Sequence, residues 1–217
     1  QGGHHPASIA PNAAPDEPKG CFPMPRHVPI LIAACVVGLI FLGAVAWKTG
    51  VFDRPPQAAV GGPFQLIDQN GKPTDESILK GKWTVVFFGF TYCPDVCPTT
   101  MQALGAAQQQ LGPKADQMQV VFMSLDPARD TPAQLKTYLG SDIFPKGTIG
   151  LTGTPEQVDA AAKAYRVYYK KNGEGADYLV DHSTAAYLMD PKGRFDRVIP
   201  YGISPEEIAR QISDAMR

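Results

Sequence analysis

The sequence predicts an α/β domain, parallel strands alternating with helices, preceded by a single transmembrane helix. Three observations predict it. Val28–Trp47 is a run of 20 residues without a charge. Trp83–Phe90 (WTVVFFGF) and Gln119–Leu125 (QVVFMSL) are almost continuously apolar over strand length, the pattern of strands buried on both faces. Three Ser/Thr-Pro pairs, at Thr131, Thr154 and Ser204, each have Glu or Gln three positions after the hydroxyl residue, a helix-start pattern.

A 20-residue helix is ~30 Å long, the thickness of a bilayer core. Arg26 and His27 flank it on one side, Trp47 and Lys48 on the other, as interfacial anchors do. The run exceeds the ~7–15 apolar residues of a signal peptide, and no A-x-A site follows it directly. Ile32–Cys35 resembles a lipobox, but the apolar run continues past Cys35, so a retained anchor is expected. Lys19 and Arg26 before it balance Lys48 and Arg54 after it, which leaves orientation undecided. Residues 1–27, rich in Pro, Gly, Ala and His, read as a disordered tail. Residues 48–60, with Pro55-Pro56, read as a linker, and 61–217 as one domain.

Within that domain Phe64–Ile67 is the first short strand, and Asn70-Gly71 marks a hairpin-type turn. Trp83–Phe90 follows as a buried strand. Met101, Leu104, Gln108 and Leu111 then fall at helical spacing in an Ala-rich segment closed by Gly112-Pro113. Gln119–Leu125 is the second buried strand. Thr131-Pro132-Ala133-Gln134 opens a helix with a capping box, Ile149–Leu151 gives a short strand, and Thr154-Pro155-Glu156-Gln157 repeats the helix start. Ala185–Met189 and Arg194–Ile199 flank the turn Asp190–Gly193, and Ser204–Glu207 opens the last helix. This is the order of a thioredoxin-like domain with an inserted strand–helix element. In such open sheets the chemistry sits at the carboxyl ends of the strands.

Charge narrows the possible functions. The 20 Lys+Arg and 21 Asp+Glu leave a net charge of −1, with no basic footprint for nucleic acid. Four cysteines in 217 residues are too few for a disulfide scaffold. Two of them lie in Cys93-Pro94-Asp95-Val96-Cys97-Pro98, directly after the first buried strand. Pro98 suits the first helical position. Cys97 is thereby placed near a helix amino end, where free N–H groups and the dipole favour a thiolate. Pro94 restricts the loop, so the two sulfurs can form a disulfide or hold one soft metal ion. After His27 the sequence contains one histidine, His182, in Val180-Asp181-His182-Ser183-Thr184. In the thioredoxin-like topology that connection lies beside the cysteine loop. Two thiolates and one imidazole make a three-coordinate set. Thiolate favours Cu(I), and imidazole can retain Cu(II). Structural Zn²⁺ takes a fourth ligand, for which no Cys or His remains in the domain.

The sequence resembles the SCO/SenC family of membrane-anchored copper proteins that assist assembly of cytochrome c oxidase. The matching segments are Gly62-Pro63-Phe64, Phe90–Pro98 (FTYCPDVCP), Ser124–Thr131 (SLDPARDT), Leu151–Thr154, Tyr165–Tyr169 and Asp181–Met189. They run across nearly the whole domain, and the CPDVCP segment with the later Asp-His-Ser is highly specific.

The resemblance implies that Cys93, Cys97 and His182 are the copper ligands. The function it implies is maturation of the CuA site in oxidase subunit II, by delivery of copper, by reduction of that subunit's cysteines, or both. It further implies other copper chaperones as partners, contact with membrane lipid through residues 28–47, and a domain in the bacterial periplasm or the mitochondrial intermembrane space. Asp95, Asp126 and Asp159 fall at matching acidic positions. Cys21 and Cys35 match no motif. Two other functions compete. A thiol–disulfide oxidoreductase would use the Cys93–Cys97 pair, with three intervening residues where thioredoxins have two. A peroxiredoxin would require Thr at position 94, where this chain has Pro.

Overall fold

The computed structural model describes residues 36–39 and 60–217. The expected tail, most of the expected anchor and linker, and Cys21 and Cys35 fall outside these residues. Val36–Leu39 form an exposed helical turn, and among the described residues no helix is long and apolar enough to cross a membrane. Pro56–Arg217 is one compact unit.

Its strands are β1 (Gln65–Asp68), β2 (Pro73–Asp75), β3 (Trp83–Gly89), β4 (Met118–Ser124), β5 (Ile149–Thr152), β6 (Tyr169–Asn172), β7 (Leu179–His182), β8 (Ala186–Met189) and β9 (Phe195–Ile199). Its α-helices are α1 (Val96–Gln110), α2 (Pro132–Leu139), α3 (Pro155–Ala164) and α4 (Pro205–Ala215). Seven strands form one sheet in the order β2-β1-β5-β4-β3-β8-β9, and β6 pairs with β7 separately. β3, β4 and β5 are parallel, whereas β1, β8 and β9 join antiparallel. This is the mixed α/β fold expected, with β5 and α3 as the inserted strand–helix pair.

The uncharged runs became the two central strands because both faces of β3 are covered. Successive strand residues point to opposite faces. Phe87 packs toward Phe122 and His182, while Phe88 packs toward Tyr165 and Tyr187. α1 packs against α4, α2 against β5 and α3 against β1. The β1–β2 turn is held by Asp68, whose carboxylate accepts from the N–H groups of Asn70 and Lys72, with Gly71 at φ +78°.

The three Ser/Thr-Pro helix starts stand where the sequence places them, but only one has a complete capping box. At Thr154 the capping box is complete. At Thr131 the hydroxyl accepts from the Gln134 N–H, but the Gln134 side chain donates instead to Thr91 Oγ1, in the segment leading to Cys93. A tertiary partner outcompetes the local box. α3 ends with Arg166 in the left-handed region, φ 59°, and the N–H of Val167 reaching back to the Ala162 carbonyl, a Schellman closure. It turns the chain into the β6–β7 hairpin, an element that the sequence reading did not contain.

Candidate metal centre

The site is built where β3 hands over to α1. Phe90 follows the strand, the Cys93 N–H bonds the Phe90 carbonyl at 3.2 Å, and α1 begins at Val96. Cys97 is therefore the second helical residue and Pro98 the third, two positions later than expected. Asp95 occupies the N-cap position without a side-chain cap bond; its carbonyl accepts from Thr99.

Cys97 is fully buried beneath this helix start, against the backbone of Gly89. A Cβ at Gly89 would lie 2.8 Å from Cys97 Sγ and 3.1 Å from the Phe122 ring. The absent side chain is the space the sulfur occupies. Gly89 and Phe87 share a face of β3 by strand alternation, so the pocket opens on the side where His182 sits.

His182 ends β7, and Tyr169 of β6 is its register partner. Its ring packs edge-on to Phe90 and Phe87. Nδ1 lies 2.7 Å from the Ser183 carbonyl, which can only accept, so Nδ1 carries the proton. Nε2 is then the ring nitrogen that faces the sulfurs, 3.6 Å from Cys97 Sγ. One ligand atom from each of Cys93, Cys97 and His182 lies within 4.8 Å of the others, and this is the only such group of His, Cys, Asp or Glu among the described residues. The cleft above them, about 290 Å³, is lined in part by Pro94, Val96 and Leu179. A larger groove of about 720 Å³ along the β1–β2 hairpin shares no residue with it.

The electrostatics of the pair reverse one expectation. The thiolate was expected at Cys97, near the helix amino end, but the structure stabilises it at Cys93. Hydrogen bonding from Cys97, thiol and N–H, and from His182 outweighs desolvation and holds the Cys93 thiol down to about 4. The Cys97 N–H lies 3.4 Å from Cys93 Sγ. Cys97 is pushed far up, first because its proton serves Cys93 and then by burial. The metal-free pair is thus one half-exposed thiolate backed by one buried thiol.

The chemistry of the donor set fits a soft monovalent ion: two sulfurs and one imidazole nitrogen converge, and among the described residues no fourth Cys or His joins them. Of the three acidic residues singled out, Asp95 lines the cleft. Asp126 is buried and bonded to Arg129 and Tyr178, and Asp159 pairs with Lys163 on exposed α3; neither belongs to the donor group. The sequence reading missed Gly89 and Arg129. Arg129 stood inside the matching segment SLDPARDT, but apart from Asp126 its partners, Tyr92, Ala176 and Tyr178, lie far away in sequence.

The SCO1/SenC family model matches residues 52–217. Protein SenC of Rhodobacter capsulatus is 44% identical over 157 residues, covering 71% of this chain and 70% of that protein. Protein SCO1 homolog 1, mitochondrial, of Arabidopsis thaliana is 48% identical over 141 residues, 64% of this chain but 42% of the relative, so the chain spans less than half of that protein's length. The structure of Bradyrhizobium japonicum ScoI with copper bound superposes with a TM-score of 0.66 at 44% identity, covering 72% of this chain and 99% of that one.

Proposed function

The chain belongs to the SCO1/SenC family, and on that basis we propose that it is a copper metallochaperone. It binds one copper ion through Cys93, Cys97 and His182 and assists maturation of the CuA site of cytochrome c oxidase subunit II. The convergence of the three ligand atoms within 4.8 Å carries this reading. Copper is cargo here. Two thiolates give Cu(I) its preferred donors, and the His182 Nε2 lone pair completes a trigonal set that also tolerates Cu(II). Three ligands leave a coordination position open, by which a client thiolate can enter before the donor sulfurs leave. Binding releases the Cys97 proton, since only thiolates ligate.

The wider layout belongs to the same proposal: residues 1–27 as a tail, 28–47 as a membrane anchor, 48–60 as a linker, and 61–217 as the domain held outside the cytoplasm, in a bacterial periplasm or a mitochondrial intermembrane space. The uncharged run Val28–Trp47 supports the anchor. Subunit II and a copper-loading chaperone are its partners.

A second reading, thiol–disulfide exchange on the client's cysteines, is favoured by the half-exposed Cys93 thiolate. In it Cys93 attacks a client disulfide and forms a mixed disulfide as one client thiolate leaves. Cys97, deprotonated, then attacks Cys93 Sγ and releases the second client thiolate. The client gains two electrons and the domain is left with a Cys93–Cys97 disulfide. The two readings separate in one experiment. In Cu(I) competition titrations the full-length chain should bind one equivalent. His182→Ala should weaken binding at least tenfold while leaving the Cys93–Cys97 reduction potential nearly unchanged. Undiminished affinity in that variant sinks the ligand assignment, and stoichiometric tight binding by Cys93→Ser or Cys97→Ser favours the oxidoreductase.

A further inference from the structure

We infer that Arg129 is a positioning residue that holds the His182-bearing hairpin against the cysteine loop and so sets the geometry of the third ligand. The inference rests on the three-ligand reading of the site. Arg129 lies on the turn after β4 and touches neither sulfur nor imidazole, yet it contacts both segments that carry them.

Its guanidinium carbon is 3.6 Å from the ring centroid of Tyr178, which immediately precedes β7, and 4.7 Å from that of Tyr92, which immediately precedes Cys93. One cation is thus sandwiched between a ring from each ligand-bearing segment. Nη1 donates to the Ala176 carbonyl in the hairpin loop at 3.0 Å. Nε donates to Asp126, whose side chain is 4% exposed, and the other oxygen of that carboxylate accepts from the Tyr178 hydroxyl. Asp126 therefore fixes both the cation and the ring the cation rests on. The buried Nη2 has no hydrogen-bond partner, which leaves the ring faces as the stabilising surroundings of that edge.

The same short stretch grips the cysteine loop directly. Asp130 accepts from the Thr91 N–H and from Thr91 Oγ1, two residues before Cys93, and from Ser124. Residues 126–130 thus act as one post to which both ligand-bearing segments are tied. The hairpin needs that tie. β6 and β7 form their own two-stranded sheet, outside the seven-stranded one. An isolated hairpin is marginal in water, so its position depends on what it docks against.

The test uses the full-length chain in detergent, with Arg129→Met and Arg129→Lys made in the wild-type and His182→Ala backgrounds. In the reduced, metal-free protein, amide hydrogen exchange at 169–172 and 179–182 is compared with β3 and β4. Arg129→Met should accelerate hairpin exchange about tenfold, the equivalent of one well-buried cation–π contact, with β3 and β4 unchanged. Arg129→Lys, which keeps a cation, should restore part of the protection. Cu(I) affinity should fall about tenfold in the wild-type background and less than about twofold where His182 is already gone.

Equal losses in both backgrounds, unchanged hairpin exchange, or equal acceleration in β3 and β4 would each overturn the inference. If Arg129→Met does not fold, Tyr92→Leu removes one face of the sandwich from a half-exposed position, and about threefold faster hairpin exchange is expected. A chain that folds but binds no copper refutes the metallochaperone reading, while the exchange measurements still decide the role of Arg129.

Discussion

Replacing Gly89 with alanine should destabilise the domain because of the Cys97 sulfur, and the structure says by how much. The added Cβ would meet Cys97 Sγ at 2.8 Å and two Phe122 ring carbons at 3.1 and 3.2 Å. Overpacking of this kind costs ~1–3 kcal/mol. Gly89 is absent from the positive-φ glycines, so alanine meets no backbone strain and recovers ~0.4–1 kcal/mol by restricting the unfolded chain. The net loss is roughly 1–2 kcal/mol, a fall in Tm of about 2–8 °C for a domain of this size. The informative measurement is a double-mutant cycle by thermal and urea denaturation. In a Cys97→Ala background the 2.8 Å contact no longer exists, and only the Phe122 contacts remain. Gly89→Ala should then cost less than ~1 kcal/mol, a coupling of about 1 kcal/mol between the two positions. An equal cost in both backgrounds would refute the argument that the missing side chain makes the sulfur's space.

Two further outcomes follow from the charges. Iodoacetamide at pH 5 should label Cys93 and spare Cys97, with the Cys93 rate levelling off above a midpoint near pH 4; labelling of Cys97 first would contradict the assignment of the thiolate. Asp130 carries the opposite sign from most surface carboxylates, since burial raises its folded-state pKa above 3.8 against the pull of its hydrogen bonds. Its contribution to stability is then fully present below pH 3.8 and is lost as pH rises through the higher folded value. The stability of the wild type relative to Asp130→Asn should therefore decline from pH 3.5 toward pH 6 in urea titrations, and a rise over that window would refute it.

The two central strands and the Ser/Thr-Pro helix starts were legible because they depend on local chemistry. Val85–Phe88 and Val120–Met123 are wholly buried, so no polar alternation interrupts the runs, and Thr154 and Ser204 cap their helices with their own side chains. His182 was found by counting, since a donor set needs donors and the domain offers few. The β6–β7 hairpin was not legible. In β6, Lys170, Lys171 and Asn172 are exposed, and in β7 only Val180 is buried, so neither strand shows a run or a clear alternation. Gln134 was misread because its choice between Thr131 and Thr91 is decided 43 residues away. The ordering of the two thiols was misread for a related reason. A helix amino end favours a thiolate only if the sulfur stays near solvent, and burial depth is a property of the packed domain.

The span of sequence between the ligands also has a temporal meaning. Cys93 and Cys97 emerge together during synthesis, but His182 lies 85 positions beyond Cys97. Between them the chain must complete α1, β4, α2, β5, α3 and β6. In a nascent or unfolded chain nothing holds His182 beside the two thiols. Only the finished domain brings Cys93, Cys97 and His182 together, so three-donor occupancy is a readout of completed folding. The bound ion, by mass action, holds the domain folded in return. In this way the three-donor site marks chains that have reached the native topology, and a chain that loses that topology loses its copper-binding donor set with it.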